Sequence, residues 1–134
     1  MNITKITNWI KQYAIDNNRD ALIVGISGGI DSSVVSTLCA KTGMKVYAVS
    51  MPINQISSQH DLSLAQGNWL ISKFSNVVHK TIDLSGVYKK FNNLMENEFD
   101  SEHSFANSKS RLRMVALHQI SGSKSGLVVG TGNK

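Results

Sequence analysis

Ile3, Ile6, Ile10 and Tyr13 recur at helical spacing, and Asn17-Asn18 ends that run. Thr4 or Asn8 is the expected polar cap at its start. The period then changes. Residues 21–26 (ALIVGI) form a short apolar run, the pattern of a strand covered on both faces. Glycines and serines follow at once, and a second helix is expected over 31–41, closed by Gly43. KVYAVS, 45–50, reads as a second strand, and Pro52 breaks the chain. The pattern predicts a third helix over 58–74, a third strand over 77–82 and a fourth helix over 84–97. The polar stretch 98–105 is expected to be a mobile loop. A fifth helix follows over 107–121, with Leu112, Val115, Ala116 and Ile120 on its apolar side, then a fourth strand over 127–129.

Strands alternating with helices predict an α/β fold: an open, mainly parallel sheet with helices on both faces, Rossmann-like, with right-handed crossovers. Such sheets bind ligands at the carboxyl ends of their strands, where the strand order reverses. With 134 residues, 41% hydrophobic and 17% charged, the chain can form the core of one domain and is not of disordered composition.

Charge narrows the ligand class without choosing it. Fourteen Lys and Arg against nine Asp and Glu give +5, which suits an anionic ligand such as a nucleotide and would also suit nucleic acid. The cations are scattered, with no block that reads as a nucleic-acid arm. One cysteine, Cys39, excludes an internal disulfide framework and a cysteine metal site. Its neighbours Val34, Val35, Leu38 and Ala40 predict a small buried apolar role. No apolar run approaches the ~18 residues that cross a bilayer, and the start of the chain reads as an amphipathic helix. A cytoplasmic, soluble protein with no membrane or nucleic-acid partner is the expectation.

Chemistry concentrates in Gly25-Ile26-Ser27-Gly28-Gly29-Ile30-Asp31-Ser32-Ser33, between a buried strand and a helix. Glycines there allow a tight turn and bring N–H groups close to an anion. The helix that follows turns its positive end to the same spot, and three serine hydroxyls add donors. Asp31 would repel a phosphate directly, so it suits Mg²⁺ bridging to phosphate oxygens. A Gly-rich turn can equally be a capped tight turn without a ligand. The Walker lysine and G-x-G-x-x-G are absent. Gly25-x-Ser27-x-Gly29 fits a hydrolase nucleophile elbow on paper, with His60, His79, His103 and His118 as possible bases, but the chain is short for that sheet.

Ser27-Gly28-Gly29-Ile30-Asp31-Ser32 resembles the SGGxDS loop of the ATP-pyrophosphatase (PP-loop) superfamily, which has the adenine-nucleotide alpha-hydrolase-like fold. Asn107-Ser108-Lys109-Ser110-Arg111-Leu112-Arg113-Met114 resembles the N-x-K-x-R-x-R-M segment of ammonia-dependent NAD synthetases, and Gly130-Thr131-Gly132-Asn133-Lys134 resembles their GTGNK segment. These motifs stand in the family's order and span nearly the whole chain. The resemblance implies an enzyme that amidates deamido-NAD with ammonia. The acid attacks the α-phosphate of ATP, giving an adenylated acid and pyrophosphate; ammonia then gives NAD and AMP. It implies that residues 25–33 and Thr131 bind ATP, that Asp31 binds Mg²⁺, and that Arg111 contacts deamido-NAD. It implies no protein nucleophile, and a homodimer.

Helical spacing puts Asn107, Arg111 and Met114 on one face and Lys109 with Arg113 on another, where a solvated surface is expected. The histidines lack ligand spacing and read as surface or satisfied core groups; Trp9 and Trp69 read as packing residues. Pro52 follows Ser50-Met51 at a strand's carboxyl end, where backbone groups could touch adenine. The chain is expected to be one ATP-binding domain, 1–134, cut short at its C-terminal end. The family's next acidic Mg²⁺ ligand and the rest of its deamido-NAD site lie beyond GTGNK, so weak or absent synthesis is expected of these residues alone. The alternatives are another PP-loop enzyme, such as a lysidine-type tRNA-modifying one, or a non-catalytic nucleotide-binding fragment.

Overall fold

The structure is a computed structural model that describes residues 2–54 and 57–130, the side chain of Ser57 apart. Its order is α1 (Ile3–Asp16), β1 (Ala21–Gly25), α2 (Ile30–Lys41), β2 (Lys45–Ser50), α3 (Ser57–Lys73), β3 (Val77–Thr81), α4 (Ser85–Met95), α5 (Glu102–Lys124) and β4 (Gly126–Val128). All pairings are parallel, in the order β3-β2-β1-β4.

Alternation along the strands builds two cores. Leu22, Val24, Val46 and Ala48 face one side and meet Ile10, Ala14, Cys39 and Leu70 from α1, α2 and α3. Ile23 and Val49 face the other and meet Tyr88 and Leu117 from α4 and α5. The predicted α/β sheet with helices on both faces is the observed one. The chain steps outward from β1 to β3, then returns to lay β4 on the other side of β1. The reversal between β1 and β4 is where this class of sheet opens a crevice at its carboxyl end.

Several expectations change in detail. Asn2 caps α1, accepting from the Lys5 N–H at 2.9 Å, in place of Thr4 or Asn8. The helix begins at Ile3, so both predicted caps lie inside it. Its covered line is Thr7, Ile10 and Ala14, while Ile3, Tyr13 and Trp9 stay exposed. An outer helix resting on α2 buries only a narrow strip. Trp9 stacks on Tyr13 in solvent at 5.4 Å between rings, rather than packing in a core, and Trp69 is nearly half exposed.

The predicted loop over 98–105 loses its second half. Ser101 accepts from the Ser104 N–H, Glu102 complements the helix's positive end, and Phe105 packs edge-on against Tyr88, so α5 starts five residues early. Its buried residues are Leu117 and Ser121, whereas the predicted Val115 is 64% exposed.

Truncating Leu22, fully buried between β1 and its covering helices, should cost about 2–5 kcal/mol. Trp9→Ala, with its ring 66% exposed, should cost at most about 1.5 kcal/mol. Urea denaturation of both variants checks the difference, and equal losses would contradict the assigned core.

Candidate functional site

The first strand does not stop at Gly25: the Ile26 N–H still donates to the Val49 carbonyl at 2.9 Å. The chain then turns through Ser27–Gly29 into α2. Gly28 has φ +87°, and a Cβ there would sit 2.7 Å from Leu62 Cβ on α3. Both the left-handed backbone and the closeness of α3 therefore require glycine.

Side chains hold this loop in place. The Ser27 N–H donates to Ser32 Oγ at 3.1 Å and the Gly29 N–H to Ser27 Oγ at 3.2 Å. Gln66 on α3 takes the Gly28 N–H at 3.2 Å and the Ser32 hydroxyl at 3.1 Å on its Oε1, and its amide donates to Ser36 Oγ at 3.0 Å. The sequence expectation brings N–H groups of this loop close to an anion. The structure divides them: those of Ser27, Gly28 and Gly29 hold the loop. Gly29 is the N-cap of α2 and offers no side chain, so the first-turn amides of Ile30, Asp31 and Ser32 have no capping partner. Free amides at the positive end of a helix are an arrangement that can seat an anion.

A second polar chain runs beneath. Ser63 donates to the Ile26 carbonyl at 2.8 Å. Ser63 Oγ lies 2.7 Å from Ser50 Oγ, which lies 2.9 Å from His79 Nε2. A carbonyl only accepts, so the Ser63 proton is committed to Ile26. Ser50 must then donate to Ser63, and His79 must donate from Nε2 to Ser50. This assigns the His79 tautomer by proton accounting. Gly67 makes room for the ring, since a Cβ there would overlap His79. Burial lowers the His79 pKa. His60, expected as a surface or a satisfied core group, is partly buried, and its buried Nδ1 meets no partner among the described residues.

A cleft of about 310 Å³ opens at the reversal point. Gly25, Ile26, Ser27 and Ser32 form one wall, and Val128 at the end of β4 with Val129 and Gly130 after it form another. Met51, from the end of β2, and Arg113, Met114 and Leu117 from α5 complete it. The solvated surface expected for Arg113 and Lys109 is not found. Arg113 is half-buried and its Nε donates to the Met51 carbonyl at 2.9 Å; burial lowers its pKa. Lys109 is half-buried with Nζ 5.1 Å from the centre of the Tyr88 ring. The cause is the rotation of α5: residues 109, 113 and 117 share the strip that faces inward.

Arg111 takes the opposite position. It is exposed on the outer side of α5, in a groove shared with Val87 and Phe91 of α4, away from the cleft. Asp31 is exposed in the first turn of α2, as are Ile30 and Ser33. Thr131, with the rest of its motif after Gly130, lies outside the described residues. Among those described, no group of three His, Cys, Asp or Glu could hold a metal alone. A cation here would be held by Asp31 together with ligand oxygens, a coordination that suits Mg²⁺. Cys39 is buried as expected, its thiol pushed up to about 12. The hydrolase reading lacks its base: Ser27 Oγ bonds to Ser32 and Gly29, and the histidine next to a serine, His79, serves Ser50.

Sequence reading missed Gln66, Ser63 and Arg113. The available signal was polar: Ser63 and Gln66 stand at i, i+3 on α3 in line with Gly67 and the buried Leu70, on the face turned to the sheet.

The model of the NAD synthase family matches residues 2–134. The chain is 33% identical over 135 residues to an NH(3)-dependent NAD(+) synthetase of Saccharolobus solfataricus, covering 96% of this chain and 46% of that one. It is also 33% identical to that of Campylobacter jejuni (strain RM1221), covering 97% and 51%. Among solved structures, NMN synthetase from Francisella tularensis aligns with a TM-score of 0.87 at 28% identity, over 98% of this chain and 53% of that one. NH3-dependent NAD synthetase from Campylobacter jejuni in complex with the nitrate ion aligns at 0.81 and 32% identity, over 100% and 58%. The chain spans about half the length of the curated relatives it matches.

Gly28→Ala should destabilise the protein by about 1–3 kcal/mol more than Gly43→Ala, because both have positive φ and only Gly28 also meets a neighbour. Thermal or urea melts of the pair decide this, and equal costs would contradict the wedge against α3. The His79 ring should titrate by NMR below the ordinary value of about 6.5. A depressed histidine pKa means the unfolded chain binds the proton more readily. Its contribution to stability is therefore present above about pH 6.5 and declines as pH falls toward the folded value.

Proposed function

The chain belongs to the NAD synthase family, and from that membership we propose that it is the ATP-binding portion of an ammonia-dependent NAD synthetase. The observation that carries the reading is the start of α2, where Gly29 supplies no capping side chain and the Ser27–Gly29 amides already hold the loop. The ATP phosphates sit on the amides of residues 30–32, and the nucleoside enters the cleft. Residues 25–33 bind ATP, with Gly25, Ile26, Ser27 and Ser32 as the wall of the cleft; Thr131 adds a contact by resemblance alone.

Asp31 is the carboxylate placed to hold Mg²⁺ with the phosphates. When bound, that ion would neutralise charge on the phosphate chain. The loop orients the triphosphate and the cleft excludes water around the nucleoside. The carboxylate of deamido-NAD attacks the α-phosphorus and pyrophosphate leaves; ammonia then displaces AMP from the acyl carbon, yielding the amide. Positioning and charge stabilisation carry this chemistry without a protein nucleophile. Arg111, exposed in the groove between α4 and α5, contacts deamido-NAD from outside the ATP cleft, in a homodimer whose interface adjoins that substrate. No helix among the described residues is long and apolar enough to cross a membrane, which is compatible with a cytoplasmic enzyme.

A second reading is favoured by the likeness to NMN synthetase from Francisella tularensis. On it, the acid amidated is a nicotinate mononucleotide. The shared chemistry is a nicotinate carboxylate, and the second nucleoside separates the two.

Calorimetric titration should show Mg²⁺-dependent ATP binding. Asp31→Asn should weaken Mg²⁺–ATP roughly tenfold or more and leave metal-free ATP nearly unchanged. No binding by the wild-type chain would overturn the proposal. Competition between deamido-NAD and nicotinate mononucleotide for the ATP-loaded protein separates the two substrate readings.

A further inference from the structure

We propose that Arg113 is a nucleotide-binding residue, whose guanidinium takes the phosphate next to the nucleoside. This rests on the reading of the cleft as an adenine-nucleotide site. Three observations carry it.

The first is place. Ser27 and Ser32 line the cleft with Arg113, whereas Gly28, Gly29, Ile30 and Asp31 lie outside it. Met51, Leu117, Val128 and Val129 give the interior apolar walls suited to a base. A nucleotide with its base between those walls and its outer phosphates on the start of α2 must pass its first phosphate between the loop and Arg113.

The second is charge. Arg113 is the one charged residue lining the cleft, and no carboxylate lines it among the described residues. A half-buried cation whose one partner among the described residues is a carbonyl oxygen is poorly compensated, and burial already lowers its pKa. An anion entering the cleft supplies the missing compensation.

The third is geometry. The bond from Nε to the Met51 carbonyl fixes one edge of the planar fork. Arg113 is itself one of the residues that line the cleft. Anchored by Nε, the fork offers its remaining N–H groups to phosphate oxygens.

The test compares AMP with adenosine, because a purely structural Arg113 would affect both alike. In the wild-type chain AMP should bind more tightly than adenosine. Arg113→Met should weaken AMP roughly 10–100-fold, the effect of losing a charge-assisted bond, and leave adenosine unchanged. Arg113→Lys, which keeps the charge but loses the fork, should fall between. Should Arg113→Met fail to fold, NMR of the wild type decides: the Arg113 Nε–H signal should shift with AMP and not with adenosine. Equal AMP affinity in wild type and Arg113→Met, or an unmoved signal at AMP saturation, overturns the role of Arg113 while the cleft reading stands. A wild-type chain that binds neither ligand overturns both.

Discussion

Everything at the carboxyl end of the sheet depends on one backbone conformation, the left-handed Gly28 pressed beneath Leu62. That residue turns the chain from β1 into α2 within a few positions. Any side chain there would strike α3, so the loop and α3 must be placed together. Gln66 enforces this by accepting from both Gly28 and Ser32. The consequence is electrostatic. The loop amides are taken by Ser27, Ser32 and Gln66, and the uncapped first turn of α2 is left at the rim of the crevice, with Ser32 lining it.

The polar chain from His79 to Ile26 supports the same place from the sheet side. Ser50 and Ser63 are buried, and each is satisfied by its neighbours. Such a chain ties β2, β3 and α3 to the carbonyl just before the loop. Buried polar groups hold position well when every member is paired, because breaking one bond strands the next. Rigidity beside the proposed anion site is useful: a donor set already aimed needs little reorganisation when charge arrives.

The sheet was legible in the sequence because buried parallel strands leave unbroken apolar runs, as in 21–26, and turns leave glycines. The loop was legible because SGGIDS places flexible backbone at a strand-to-helix junction. Two kinds of feature were not. The start of α5 was hidden in a polar stretch, where a Ser101 cap and one anchoring ring, Phe105, outweighed composition. The facing of Arg111 and Arg113 was hidden because a helical wheel gives relative angles and not the direction of the core. Packing against β1 and β4 turned 113 and 117 inward and left 111 outside. Gln66 was illegible for a related reason: its partners lie thirty or more residues away in sequence.

The central claim is that the first turn of α2 is the anion seat. Backbone amide NMR on adding ATP and magnesium tests it most directly. The account predicts the largest shifts at Ile30, Asp31 and Ser32, around a loop that keeps its Gly28–Gln66 bond. Unmoved signals there, or larger changes in the groove beside Arg111, would contradict it.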